Sequence, residues 1–213
     1  MNSYYPLFLS LNGRKCTVIG GGQVALRKVT VLLKHAANVT VISPRLCAGL
    51  RDLADEDRIK VIHRAYQAGD MDGASIAILA TSDSAINLVA ATEASSKKVL
   101  VNVVDNPELS DFIVPSIISR GNLAIAISTG GKCPSLARKI RMKLQKEFGP
   151  EYAALALLIA EVRAIIKKQG IKVSSGDWQK AIDLDTMIEL IRQDRTQKAR
   201  EILLARLTKS PGK

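Results

Sequence analysis

In the first half of the chain, apolar residues come in short β-branched runs separated by stretches of helical length. The runs are 16–20 (CTVIG), 38–43 (NVTVIS), 58–63 (RIKVIH), 74–81 (ASIAILAT) and 98–104 (KVLVNVV). Runs this short, without strict alternation, predict strands buried on both faces, as in a parallel sheet with crossover helices. Between them, 23–36 predicts a helix with Val24, Val31 and Leu32 on one side, and 82–97 a second helix with Ser82 or Asp83 near its cap. The alternation implies an α/β fold with a doubly wound, Rossmann-type parallel sheet.

After Asp105 the pattern changes. Segments 112–119 and 122–129 flank Arg120–Gly121 and predict an antiparallel hairpin beyond the parallel sheet, with Pro115 placing its first strand at an edge or a bulge. A basic helix is expected over 136–149, with Leu136, Ile140, Leu144 and Phe148 at helical spacing. From Glu151 onward the pattern is helical, with interruptions at 172–177 and near Asp183 and Asp185. The expected division is 1–112, 113–149 and a helical C-terminal domain over 150–213.

The first loop carries chemistry. Gly20-x-Gly22-x-x-Ala25 follows a strand and opens a helix, the context in which a glycine fingerprint binds a dinucleotide. Gly20 allows the tight turn, Gly22 lets the backbone reach a pyrophosphate, and Ala25 permits close helix–sheet packing, with Gln23 and Val24 opening the helix beside the phosphates. Many such units hold the ribose with a carboxylate after the second strand, but here that strand ends Ser43-Pro44-Arg45. Two alternatives stay open: Ser43 donates to the ribose with Pro44 against the adenine, or Arg45 accepts a 2′-phosphate. Thr81 and Ser82, after the fourth strand, are cofactor contacts or merely part of a helix cap.

Composition narrows the partners. The net charge of +11 is uneven: residues 1–131 hold 13 Lys and Arg against 11 Asp and Glu, whereas 132–213 hold 18 against 9, so the second part should meet an anion. Few aromatics there, and no reading motif, disfavour nucleic acid. No apolar run approaches the roughly 18 residues needed to cross a bilayer, and the start does not read as a signal peptide, so no membrane association and a cytoplasmic location are expected. Cys16, Cys47 and Cys133 form no C-x-x-C, and His35 and His63 lack metal-ligand spacing, so neither a disulfide framework nor a protein-built metal site is expected.

The segments YPLFLSLNGRKCTVIGGGQVALRK, ILATSD, VNVVDNPELSDFIVPSII and IAISTGGKCPSLARKIR, in order from about residue 4 to 148, resemble the precorrin-2 dehydrogenase/sirohydrochlorin ferrochelatase family. The resemblance implies NAD-dependent oxidation of precorrin-2 to sirohydrochlorin and, in some members, insertion of Fe2+ or Co2+ as substrate ion. It also implies a homodimer formed through the 113–149 region, and an NAD-binding role for 1–112. The family's essential aspartate falls on Asp105 in the motif Asn102 to Asp105, followed by Asn106 and Pro107. A serine phosphorylated in some members falls on Ser128. Members fused to a methyltransferase carry a long extra domain that is absent from these 213 residues, so methylation is expected to belong to another protein.

On this reading Asp105 takes a proton as hydride leaves the tetrapyrrole, or steadies the developing positive charge. Asn102 beside it contacts the substrate, and Ser128, Gly130, Gly131, Lys132 and Arg138, together with Lys139 and Arg141, face the substrate carboxylates. Without the resemblance, Asp105 reads as a turn residue. A different class, a Rossmann module that senses NAD without chemistry, usually keeps the acid after the second strand and has no need of the 102–107 segment.

Overall fold

The computed structural model describes residues 4–208; the first three residues of the stretch read for a leader, and the last five of segment 150–213, lie outside them. The chain divides into two compact units, one ending at Val114 and the other beginning at Pro115.

The first unit runs β1 (Lys15–Ile19), α1 (Gln23–Lys34), β2 (Asn38–Ile42), α2 (Ala48–Asp55), β3 (Lys60–Ile62), β4 (Ile76–Leu79), α3 (Ser84–Ser96) and β5 (Leu100–Val103). All five strands pair in parallel in the order β3-β2-β1-β4-β5. The order reverses between β1 and β4, so the crevice that doubly wound sheets offer to ligands opens at the C-terminal ends of these two strands. Alternate residues point to opposite faces, and both faces are covered. Val18, Val41 and Ile78 meet Ala25, Val29 and Leu32 of α1 and Leu50 of α2. Ile19, Ile42, Leu79 and Val101 meet Ala90, Ala91 and Ala94 of α3.

Several expectations change in detail. The buried stripe of α1 is Ala25, Val29 and Leu32, with Val31 42% exposed. Ala25, Val29 and Leu32 all belong to the core cluster that α1 forms with the sheet. Helix α2 was not expected; its eight residues bury only Leu50 fully, too little to mark it in the pattern. The strands are shorter than the apolar runs because the residues at their C-terminal ends, such as Ser43 and Thr81, enter the turns. Residues 112–115 are not strand: Phe112 packs against the core of the first unit, and Pro115 immediately precedes the hairpin. Residues 110–112 instead cover the open edge of β5, where Ser110 Oγ and Asp111 Oδ2 accept from Val103 N–H and Val101 N–H at 2.9 and 2.8 Å. That satisfies donors an edge strand would otherwise leave free.

The second unit contains the antiparallel pair β6 (Ser116–Arg120) and β7 (Leu123–Ile127), then α4 (Pro134–Glu147), α5 (Glu151–Lys168), α6 (Ser175–Ala181), α7 (Leu184–Arg192) and α8 (Thr196–Thr208). The hairpin turn is Gly121–Asn122, since Arg120 pairs with Leu123; Gly121 holds φ +56° at the first central position. Leu155, Leu158, Val162 and Ile166 form the inner stripe of α5 and pack on Met187, Ile188 and Ile191 of α7 and Leu203 and Leu207 of α8. The polar stretch 172–177 is partly a helix start: Ser174 and Asp177 form a reciprocal capping box at α6, and Asp183 caps α7. The apolar spacing of α4 is largely uncovered, with only Ala137 buried and Leu136, Ile140 and Met142 exposed. No helix among the described residues is long and apolar enough to cross a membrane.

Candidate functional site

Parallel pairing puts the C-terminal ends of β1, β2, β4 and β5 on one edge of the sheet, and four expected groups lie there: Gly20–Gly22, Ser43–Arg45, Thr81–Ser82 and Asp105. At the first of these, Gly20 has φ +120°, and a Cβ there would stand 2.5 Å from the Ala80 carbonyl oxygen, so the turn admits only glycine. Gly22 is the N-cap of α1 with an ordinary extended backbone (φ −87°), and a Cβ on it would meet nothing within 4 Å. No side chain caps α1 and no acid lies in its first turn, so its leading N–H groups and positive dipole end suit an anion. Gln23 is exposed and Val24 half-buried beside this turn, while Ala25 is fully buried. A pyrophosphate fits these features, and the residues present are those a dinucleotide requires.

Gly21, which the fingerprint leaves unassigned, is the most confined of the three. A Cβ there would lie 2.0 Å from the Arg45 carbonyl oxygen and 2.6 Å from Ser43 Oγ. Its own carbonyl accepts from Cys47 N–H at 2.7 Å, which ties the β2–α2 loop to the glycine turn. The triple glycine was the available signal, but only the approach of a second loop explains it.

That loop sets the roles of Ser43, Pro44 and Arg45. Ser43 is 6% exposed, and its hydroxyl donates to Arg45 O at 2.7 Å and accepts from Arg45 N–H at 3.4 Å. The hydroxyl therefore braces the turn from inside. Pro44 and Arg45 are exposed. At the end of β4, Thr81 Oγ1 donates to Asn87 Oδ1 at 2.9 Å and accepts from Asp83 N–H at 3.1 Å, Asp83 caps α3, and Ser82 is exposed. Thr81 thus organises the cap, and Ser82 is the residue of this pair with a hydroxyl at the surface.

Asp105 follows β5 in the left-handed region at φ +59°, a conformation that Asp tolerates better than most side chains, and it is exposed. The turn beneath it is held rigidly: Asn106 N–H donates to Val103 O at 3.2 Å, Ser110 Oγ donates to Asn106 O at 2.7 Å, and Asn106 Oδ1 accepts from Leu109 N–H at 3.2 Å. Asn102 does not face outward with it. That side chain is buried and donates to Phe112 O at 2.9 Å, supporting the same segment from below. Sequence reasoning missed Lys28, a half-buried lysine of α1. Burial pulls its ammonium below the ordinary lysine value, Arg27 adds to that effect, and the Asp105 carboxylate opposes it. Five residues of helix separate Lys28 from the cap, and nothing in the linear pattern connects it to β5.

In the second unit, Ser128, Gly130, Gly131 and Lys132 form the loop before α4, with Gly130 at φ +63° and Gly131 at φ +79°. Ser128 Oγ accepts from Gly130 N–H at 3.0 Å, and Thr129 Oγ1 accepts from Cys133 N–H at 3.0 Å. Pro134 is the first residue of α4, the N-cap Cys133 makes no side-chain cap, and Ser128, Lys132, Arg138 and Lys139 are exposed. These features suit an anion. Arg141 is half-buried and donates to Gln145 Oε1 at 2.7 Å. A shallow groove of about 500 Å³ on the flank of α3, where the Tyr66 hydroxyl donates to Glu93, is lined by none of the expected site residues.

Comparison with known proteins gives these features a setting. Residues 7–116 match the family model described as "Putative NAD(P)-binding", and residues 120–147 match the central segment of sirohaem biosynthesis proteins. The chain is 42% identical over 164 residues to a siroheme synthase of Methylobacillus flagellatus, covering 77% of this chain and 35% of that protein. It is 37% identical over 202 residues to a siroheme synthase of Thioalkalivibrio sulfidiphilus, covering 94% and 41%. The chain thus spans about two-fifths of the length of these curated relatives. Its fold matches the solved structure of SirC, a precorrin-2 dehydrogenase, with a TM-score of 0.73 at 24% identity over 97% of this chain and all of the other.

Proposed function

The chain belongs to the NAD(P)-binding family matched over residues 7–116, with the central segment of sirohaem biosynthesis proteins behind it, and from that premise we propose that it oxidises precorrin-2 to sirohydrochlorin in the cytoplasm. The observation that carries this reading is the shared sheet edge. An uncapped, glycine-opened helix start and an exposed carboxylate on a braced turn follow strands β1 and β5 of one parallel sheet. A sensing module needs the first of these features and gives the second no task.

In this reading Gly20 and Gly22, with the leading N–H groups of α1, hold the pyrophosphate of NAD, and Gln23, Val24, Pro44, Arg45 and Ser82 flank it. When bound, NAD+ supplies the acceptor for a hydride from the tetrapyrrole. Two hydrogens are lost overall, so one leaves as hydride and the other as a proton. Asp105 accepts that proton and passes it to solvent, for which its exposure is suited. Asn102 and Ser110 keep the carboxylate in place by bracing its turn. Ser128, Gly130, Gly131, Lys132 and Arg138 meet the substrate's carboxylates, a use for the basic second part of the chain.

The same reading makes the protein a homodimer. Exposed Ile117, Leu136, Ile140 and Met142, and a two-stranded sheet whose outer edges pair with no other strand among the described residues, support a second copy as their cover. Fe2+ or Co2+ would enter as a substrate ion, with Asp105 accepting pyrrole N–H protons. The test is anaerobic incubation of precorrin-2 with NAD+, followed spectroscopically, then addition of Fe2+ or Co2+, with sedimentation for the dimer. Sirohydrochlorin formation is expected, and its absence would remove the dehydrogenase reading.

A further inference from the structure

We propose that Arg45 lets this site accept a dinucleotide bearing a 2′-phosphate, so that NADP+ serves alongside NAD+. The proposal rests on reading the glycine turn as a dinucleotide site, and it concerns the group that sorts the two cofactors. Discrimination against a ribose 2′-phosphate normally comes from a carboxylate after β2, which binds the free hydroxyl and repels the phosphate. Residues 43–47 are Ser-Pro-Arg-Leu-Cys, so that repulsive element is missing. Ser43 does not replace it, because its hydroxyl proton is held by the Arg45 carbonyl oxygen inside the turn.

Arg45 is also placed to attract the phosphate. Its guanidinium is exposed and makes no hydrogen bond or ion pair among the described residues, whereas nearby arginines are engaged: Arg51 donates to Leu46 O at 2.9 Å, and Arg58 and Arg64 pair with Glu56 and Asp70. The Arg45 backbone, unlike its side chain, is fixed. Its carbonyl oxygen lies where a Cβ on Gly21 would need to be, and Cys47 N–H ties the same loop to Gly21 O at 2.7 Å. The side chain therefore starts beside the phosphate turn, and only its own rotamers remain to be ordered. The planar fork of donors suits a phosphate dianion bidentately, which a lysine in the same place would not match.

Calorimetric titration of the whole chain with NAD+ and with NADP+ tests this. In the wild type the two dissociation constants should lie within about tenfold of each other, a gap of about 1.4 kcal/mol. Arg45→Ala should lower the NADP+ to NAD+ affinity ratio by about ten- to a hundredfold, the range for losing hydrogen bonds to a charged group. Arg45→Asp should lower it further, and Arg45→Lys should restore part of it. NADP+ binding more than about a hundredfold weaker than NAD+ in the wild type, or an unchanged ratio in Arg45→Ala, overturns the proposal while leaving the dinucleotide site standing. Failure of both cofactors to bind the wild type overturns the site and the proposal together.

Discussion

Alanine at Gly21 and alanine at Gly22 add the same methyl group one residue apart, and the two variants should behave in opposite ways. At Gly21 the new carbon would start 2.0 Å from the Arg45 carbonyl oxygen and 2.6 Å from Ser43 Oγ. An ordinary carbon–oxygen contact is about 3.3 Å or more, so the β2–α2 loop must retreat by more than an ångström. That motion strains the bond from Cys47 N–H to Gly21 O, now 2.7 Å. Overpacking of this kind costs about 1–3 kcal/mol and a lost hydrogen bond about 1 more, which gives about 2–4 kcal/mol in all. For a chain of this size that lowers the melting temperature by about 5–15 °C.

At Gly22 no atom lies within 4 Å of the new carbon and φ is −87°, which alanine adopts freely. The entropy gained from restricting the unfolded chain and the small loss of N-cap preference nearly cancel, so stability should stay within about 0.5 kcal/mol of wild type. The methyl nevertheless stands where a pyrophosphate must approach the helix N–H groups. Dinucleotide affinity should fall by about tenfold or more, as charge-assisted hydrogen bonds are lost. Differential scanning calorimetry and NAD+ titration on both variants read the two effects separately. Wild-type melting in Gly21→Ala would refute the packing argument, and wild-type NAD+ affinity in Gly22→Ala would refute the assignment of the phosphate site.

Other consequences are as direct. Thr17 Oγ1 is buried in β1 without a partner among the described residues, so Thr17→Val should stabilise the protein by about 1 kcal/mol, read as a higher urea midpoint. The Arg64 guanidinium holds the Asp70 carboxyl below its ordinary range. A depressed folded-state value gives stabilisation that is present above the unfolded value of about 3.9 and is lost as pH falls from there toward the folded value. Asp70→Asn should therefore be less stable than wild type at pH 7, with the gap in urea midpoints closing below about pH 4. Cys16 is fully buried, and burial pushes its thiol up to about 11, whereas Cys133 is exposed. A disulfide reagent should label Cys133 first and Cys16 only on unfolding, and Cys133→Ser should remove the fast phase.

Much of the first unit was legible because its strands are buried on both faces and read as uninterrupted β-branched runs, and because Gly20-x-Gly22-x-x-Ala25 sits between a strand and a helix. What could not be read depends on contacts between segments distant in sequence. Gly21 is explained by Arg45, the inward turn of Asn102 by Phe112, and Lys28 acquires a neighbour only when β5 ends near α1. Ser43 illustrates the same limit: a serine after β2 looks like a ribose donor until its proton is found on a carbonyl two residues on. Along α4, helical spacing of Leu136 and Ile140 located the helix correctly but not what covers it, since spacing reports a face and not its partner.

The central claim is that Asp105 moves a proton while a nicotinamide takes hydride from precorrin-2. Single-turnover oxidation of precorrin-2 under anaerobic conditions, comparing wild type with Asp105→Asn, tests it most directly, because asparagine tolerates the left-handed φ of +59° and removes only the charge. The account predicts one NADH per sirohydrochlorin in the wild type and a rate about a hundredfold or more lower in the variant, the usual scale for a lost general base. Sirohydrochlorin formed without NADH, or at an equal rate by Asp105→Asn, would contradict it.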